Sequence, residues 1–497
     1  MRRWLGAVWL AAAVVAGCTS APESKSTLRP VPCWFEVPAG HAATCYRLAV
    51  PESRASPGRR VLTLPVAVLS IPTTRRHADP IVYLTGGPGS AVGLYPATMK
   101  EWWPYIDTVP WLQGRDLILM DQRGAGLAEP SLDCPEIEQV GLQLLKLSGD
   151  PAHRRAVYIA AAEKCRQRWL ASGHDLDGYG TRAAAADFAD LKRALGGAAW
   201  NIYSVSYGTR LALVLMHDYP EGLRSVILDS VYPPELHFFE TQRAAMDAAF
   251  NKLFAACAAD KVCSKTSPDM KRRFFELVGR YNGNPRSVRF TDERTGVAEE
   301  MPLTGVLLVE RALEILNEGD ALTEMPALVR AAQDADQHAL EEVIADLAAD
   351  YGGPNYFSEG KYFAVDCEEE VPFTDAARTR ADIASHPAFD NFGIDTDDWY
   401  VCSKWVGPNA LPISKTPVVS AVPTLVLQGE FDAITPPDAG RLAASRLRHG
   451  YYIEFAQVGH KVIDQSVCGQ KIAALFFDSP ERNPVLPCLR ENPQRPW

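Results

Sequence analysis

Apolar residues along this chain fall into two kinds of grouping, and their alternation predicts the architecture. Short apolar runs stand at Ile81-Val-Tyr-Leu84, Asp116-Leu-Ile-Leu-Met120, Trp200-Asn-Ile-Tyr203, Ser225-Val-Ile-Leu-Asp229, Pro423-Thr-Leu-Val-Leu427 and Tyr451-Tyr-Ile-Glu-Phe455. Runs of this length with little polar alternation predict strands covered on both faces, as in a parallel sheet. The stretch from Val61 to Leu69 predicts an earlier strand, and Pro65 within it argues for a sheet edge, because proline has no amide to donate. Between these runs lie helical stripes. Ala185, Phe188, Leu191 and Leu195 share one face of a helix over Thr181 to Leu195 that stops at Gly196, and a helix over Leu211 to Tyr219 follows the Trp200 strand directly. Strands alternating with helices predict an α/β fold with a mainly parallel sheet.

From Pro233 to Tyr351 the pattern turns helical. Phe250, Leu253, Phe254 and Cys257 fall at i, i+3, i+4, i+7, as do Phe274, Leu277, Val278 and Tyr281. The strand pattern returns only at Pro423. The intervening stretch therefore reads as a largely helical cap inserted between core strands, over the edge where chemistry is expected.

The chain of 497 residues, 47% hydrophobic and 22% charged, is ample for a large core. Its net charge of −11 and lack of a basic run argue against a nucleic-acid partner. Arg2 and Arg3 precede an apolar run from Trp4 to Ala16, too short to span a bilayer but suited to a signal peptide. Val15-Ala-Gly-Cys18 resembles a bacterial lipobox, which makes Cys18 the expected lipidation site; an ordinary secretory leader is the alternative. Thr19 after the cysteine suggests the outer membrane, on its periplasmic side, if the source has one. Thr19 to Pro30 is polar and Ser/Pro-rich, as a tether would be. The expected divisions are a signal peptide (1–17), a lipid-anchored tether (18–30), a first core part (31–232), a cap with its return segment (233–415) and a second core part (416–497).

Ten further cysteines, an even number in an exported chain, predict five disulfides. Neighbour pairing (Cys33–Cys45, Cys134–Cys165, Cys257–Cys263, Cys367–Cys402, Cys468–Cys488) is the simplest of many arrangements. No Cys-x-x-Cys or clustered Cys/His spacing points to a metal, and no cofactor is expected.

The chemistry concentrates where strands end. Trp200-Asn-Ile-Tyr-Ser204-Val-Ser206-Tyr-Gly208 runs from strand to helix with no spacer, which pushes the Ser206 hydroxyl out at the helix's positive end. Such a corner needs small residues two places either side of the nucleophile. Gly208 meets that need, and Ser204 stands where glycine is commoner. Gly86-Gly-Pro-Gly89 follows the Ile81 strand. Pro88 has no amide, so a donor to a developing oxyanion is expected from Gly87 or Gly86, together with the amide of Tyr207. Asp432, after the Pro423 strand, and His460, after the Tyr451 strand, complete the chain order Ser, Asp, His. His460 is the candidate base for Ser206, and Asp432 the group that orients it. Asp229 also ends a strand and is the competing acid; Asp432 is preferred for its Gly429-Glu-Phe-Asp432 loop. Asp121 and Arg123 are expected to hold loops at the sheet's carboxyl edge.

Gly86-Gly-Pro-Gly89, Asp121-Gln-Arg-Gly124, Ser206-Tyr-Gly-Thr209, Gly429-Glu-Phe-Asp432 with Thr435-Pro436, and Gly459-His460 together resemble the proline iminopeptidase and tripeptidyl aminopeptidase group of α/β-hydrolases. The likeness covers most of the chain, and the closing region is similar to that of tripeptidyl aminopeptidases. It implies release of one to three residues from the free N-terminus of short peptides, under a cap that excludes longer chains. Two positions depart from the pattern: Thr85 stands where proline iminopeptidases carry histidine, and Ser204 replaces the elbow glycine. Exopeptidases need carboxylates for the substrate amine. The cluster Asp366-Cys-Glu368-Glu369-Glu370 is the expected source, with Glu369 selected by the family's Cys-x-Glu and Glu368 beside it; Glu235 and Glu240 are further candidates. A carboxylesterase or lipase on the same three residues is the alternative, and a binding lipoprotein without catalysis a third reading.

Overall fold

The structure, a computed structural model, describes residues 26–55, 60–70, 76–292, 295–352, 356–389, 395–405 and 415–490. The expected leader, the lipidation site Cys18 and residues 19–25 of the expected tether lie outside the described residues. Eleven strands are described: β1 (Thr27–Val31), β2 (Ala42–Pro51), β3 (Val61–Ser70), β4 (Ile81–Leu84), β5 (Leu117–Met120), β6 (Trp200–Val205), β7 (Leu223–Asp229), β8 (Arg286–Asp292), β9 (Val297–Leu303), β10 (Thr424–Gly429) and β11 (Gly450–Phe455). Nine of them make one sheet in the order β1-β2-β3-β5-β4-β6-β7-β10-β11. The ladders from β5 to β11 are parallel, and those among β1, β2, β3 and β5 are antiparallel.

The uninterrupted apolar runs are explained by burial on both faces. Every residue of β5, β6 and β10 is buried. Val82, Ile202 and Val226 pack into one core layer, while Ile81, Tyr203 and Ile227 pack into the layer on the other face. The crossing order β4-β6-β7-β10 brings the carboxyl ends of four strands side by side, where loops can converge.

Several expectations need correction. Pro65 does not mark a sheet edge: β3 lies between β2 and β5. The β5 ladder begins only at Val66, so on that side no donor is required of residue 65. Residues Thr27 to Pro30 of the expected tether form most of β1, paired with β2 from Thr27↔Ala49 onward. Within the largely helical insertion, β8 and β9 pair as an antiparallel hairpin. Its signal was the alternation that buries Val288 and Phe290 ahead of a Thr295-Gly296 turn.

The cap has its own apolar cluster, built on Phe250, Phe274, Leu316 and Met325, which also takes in Phe431 and Ala433 from the loop after β10. The return segment packs differently. Phe363, Cys367, Val401 and Trp405, on the helices Glu359–Glu369 and Asp395–Trp405, belong to the core layer that holds Val82. The structure forms five disulfides, Cys33–Cys45, Cys134–Cys165, Cys257–Cys263, Cys367–Cys402 and Cys468–Cys488, of which the fourth joins those two helices. No helix among the described residues is long and apolar enough to cross a membrane.

Candidate active site

Ser206 separates the last residue of β6 from the helix Tyr207–Asp218 and holds φ 55°, ψ −128°. Left-handed backbone at a non-glycine residue stores on the order of 1–3 kcal/mol and persists only where its surroundings impose it. The imposing contacts are local. A Cβ on Gly208 would come within 2.1 Å of Leu84 O, so helix and β4 touch there and only glycine fits. Ser204 is accommodated in glycine's usual place because its hydroxyl donates to Ile227 O on β7 at 2.7 Å. The amide of Tyr207 is the first of this helix, one of those with no intrahelical acceptor, and so can serve another acceptor.

The glycine loop after β4 lies against this corner. A Cβ on Gly86 would be 2.9 Å from Ser206 Cβ and 3.4 Å from its Oγ. Gly87 has φ 105° and precedes a cis proline peptide. The loop is held from two sides. Ala91 N donates to Tyr356 O and Ser358 N to Gly89 O, at 2.7 and 2.9 Å. Asp121 accepts from Val92 N at 2.7 Å and Leu127 N at 2.8 Å, and burial pushes its carboxyl up to about 6. Arg123 is fully buried, with Nε and Nη2 on Asp187 and Nη1 on Glu52 O.

Across the sheet edge, the loops after β10 and β11 bring Asp432 and His460 together. Both are buried, and Asp432 Oδ2 lies 2.9 Å from His460 Nδ1. The carboxylate is oriented by its own loop: Oδ1 accepts from Ile434 N and Thr435 N at 3.0 and 2.8 Å, and Oδ2 from Thr435 Oγ1 at 2.8 Å. With Nδ1 turned to a carboxylate, Nε2 is the nitrogen left to accept a proton.

Among the described residues no hydrogen bond links Ser206 Oγ to the imidazole; such bonds commonly tighten only when substrate is bound. Backbone contacts bring the two loops to one place. Ser206 N donates to Asp229 O at 3.0 Å. The Asp229 carboxylate accepts from Val462 N at 2.8 Å and Ile463 N at 3.0 Å, and Ser230 Oγ accepts from Lys461 N at 2.9 Å. Asp229, the competing acid, thus holds the backbone beyond His460 rather than its ring. Burial, with a smaller push from Asp464, raises its carboxyl to about 7 despite those two amides.

The expected amine-binding pair divides into one bonded carboxylate and one with an unpartnered oxygen. Glu369 is buried, with Oε1 on Thr181 N at 2.6 Å and Oε2 on Thr181 Oγ1 at 2.7 Å. Thr181 Oγ1 in turn meets the Tyr207 hydroxyl at 2.9 Å, so Glu369 braces the helix start and the elbow from below. Glu368 lies against Gly180, and burial beside Glu369 and Asp177 pushes it up to about 8. Glu240 is also engaged, by Asp375 N and Arg378. Glu235 Oε2 and Glu368 Oε2 are both buried with no hydrogen-bond partner.

Comparison with known proteins agrees with this geometry. Residues 79–316 match the alpha/beta hydrolase fold family, and residues 386–488 match the family described as TAP-like protein. The chain has the α/β-hydrolase fold. This hydrolase is 25% identical to serine protease Hip1 of Mycobacterium tuberculosis over 92% of each chain. It is 27% identical to the tripeptidyl aminopeptidase of Streptomyces lividans over 38% of this chain and 35% of that one. Proline iminopeptidase of Mycobacterium smegmatis aligns at 15% identity over 88% of this chain and 94% of that chain, with a TM-score of 0.35, too loose a likeness to build on. Kinship with a serine protease along nearly the whole chain supports a serine peptidase.

Proposed function

We propose that this hydrolase is an exported serine aminopeptidase that releases one to three residues from the free N-terminus of short peptides through an acyl-enzyme. The observation that carries the reading is the buried Asp432–His460 pair, at the same strand ends that hold Ser206 in left-handed backbone. In this reading Ser206 Oγ attacks the scissile carbonyl carbon as His460 Nε2 takes the hydroxyl proton. The C–N bond then breaks and the imidazolium returns that proton to the leaving amine. Water repeats the sequence on the acyl ester, freeing the acid and restoring the serine. Asp432 fixes the ring's tautomer and stabilises the imidazolium. The amides of Tyr207 and of Gly87 or Gly86 receive the oxyanion. The amine of the substrate is assigned to Glu368, beside Glu369, with Glu235 in the segment leading from β7 into the cap as a further candidate; Glu368 and Glu235 each carry a buried oxygen without a partner. The TAP-like match and the likeness to a tripeptidyl aminopeptidase favour removal from an end rather than cleavage within a chain. Export and anchoring through Cys18, at the periplasmic side of an outer membrane if the source has one, rest on the leader sequence alone, and secretion without an anchor is the alternative.

A panel of aminoacyl, dipeptidyl and tripeptidyl chromogenic substrates, free and N-acetylated, tests the reading. Turnover confined to free N-termini and abolished in a folded Ser206→Ala variant is expected. Equal cleavage of acetylated substrates would remove the exopeptidase part. Rapid hydrolysis of short acyl esters with no peptide turnover would favour the carboxylesterase instead. Mass spectrometry of the mature protein should find a lipidated Cys18 as its first residue.

A further inference from the structure

The helix Gly305–Glu318 belongs to the cap, yet its last turn is bonded to the loops that carry Asp432 and His460. Asn317, 5% exposed, is the hub. Its side-chain oxygen accepts from Ala433 N, the residue after Asp432, at 3.1 Å. Its main-chain oxygen accepts from His460 N at 2.7 Å and from Gln465 Nε2 at 2.7 Å. Gln465, also buried, donates from that same Nε2 to His460 O, and its Oε1 accepts from Gly459 N at 3.3 Å. The approach is close enough to exclude a side chain at residue 459, where a Cβ would lie 2.3 Å from Asn317 O. Outside this knot, Lys461 Nζ pairs with Glu318 at 2.9 Å, and Phe431 and Ala433 sit in the cap's own apolar cluster.

Physical chemistry gives this contact a purpose. The last carbonyls of a helix have no intrahelical donor and carry the negative end of its dipole. Here one of them faces the backbone of the histidine that must become an imidazolium during turnover. We propose that Asn317 and Gln465 are positioning residues: together they clasp the acid and base loops to the cap helix and set the imidazole's place over Ser206. The cap is then part of the catalytic scaffold, with this edge of it fixed during turnover. The inference rests on the triad reading proposed above.

The test uses the full chain, with fluorophosphonate labelling of Ser206 as a readout of nucleophile activation that needs no peptide substrate. Asn317→Ala deletes the bond to Ala433 N and is expected to slow labelling and lower kcat about tenfold with little change in KM, the equivalent of one lost buried hydrogen bond. Asn317→Asp keeps an acceptor for Ala433 N and is expected to recover most of the rate. Its added charge joins those of Asp432, Asp229, Glu318, Asp464 and Lys461 around the ring, so the acid limb of kcat/KM should move to higher pH. Gln465→Ala removes the other half of the clasp and should reproduce the loss if Asn317→Ala does not fold. Wild-type rates of labelling and turnover in folded Asn317→Ala and Gln465→Ala would overturn the clasp. So would a loss in Asn317→Asp equal to that in Asn317→Ala with an unmoved acid limb, which is what a merely structural role predicts. If the wild-type chain itself fails to label at Ser206, the triad reading falls and the clasp falls with it.

Discussion

The two halves of the candidate site are held in place by different parts of the molecule. Ser206 is fixed from within the sheet: β6 feeds it, Asp229 O on β7 takes its amide, and Gly208 lets the next helix touch β4. Asp432 and His460 also leave core strands, but their loops lean on the cap, through Asn317 and through Phe431 and Ala433 in the cap's cluster. The glycine loop stands between, with Asp121 of the core on one side and residues 356 to 358 of the return segment on the other. The nucleophile is therefore held by the sheet and, from below, by Glu369 of the return segment, whereas the base is held by the sheet and the cap helix together. A disturbance of the cap should reach His460 before it reaches Ser206.

The largest expected effect separates the halves chemically. Asp432→Asn leaves the elbow intact but removes the charge that sets the histidine's tautomer, and kcat should fall on the order of 10⁴-fold. Circular dichroism and the melting temperature should stay near wild type; turnover within tenfold of wild type would remove Asp432 from its role.

Two alanine substitutions divide the halves sterically. Gly459→Ala forces a Cβ onto Asn317 O and should displace the histidine loop, lowering kcat about 10²-fold. Gly208→Ala meets Leu84 O at 2.1 Å and should destabilise the core itself, by about 3–5 kcal/mol in denaturant unfolding. If Gly208→Ala unfolded no more readily than Gly459→Ala, the division drawn here would be mistaken.

The smallest effect is in the pH dependence of stability. Asp229 and Asp121 have folded-state carboxyls raised by burial to about 7 and about 6. A raised carboxyl favours the protonated form in the folded state. Its contribution is fully present below the ordinary value near 4 and is lost as pH climbs through the folded value. Melting temperature should therefore decline as pH rises between about 4 and 7. Asp229→Asn should flatten that slope while lowering the pH 5 value, since one of the two amides loses its acceptor. An unchanged slope would show that the charge of Asp229 is not felt.

What could be read in the chain was whatever local sterics or burial writes into neighbouring residues. Strands buried on both faces leave unbroken apolar runs, and β4, β5, β6, β7 and β10 were legible for that reason. The elbow was legible because a serine between strand and helix demands small neighbours within two positions. The loops of Asp432 and His460 were legible because each follows a core strand. The β8–β9 hairpin was missed because helical stripes on either side dominated its short alternation. The bonds of Glu369 to Thr181 were not legible, because an acidic cluster looks the same whether it opens to solvent or turns inward.

The sequence by itself determined the sheet, the interruption by a cap and the three side chains with chemistry to offer, since each depends on residues within a few positions of one another. Which carboxylates stay open, and which residue joins the cap to the histidine, were decided only by tertiary packing. Asn317 stands 143 positions before His460, and nothing in the local sequence of either tells of a 2.7 Å bond between them. Such a contact exists only once two separately folded layers have been pressed together.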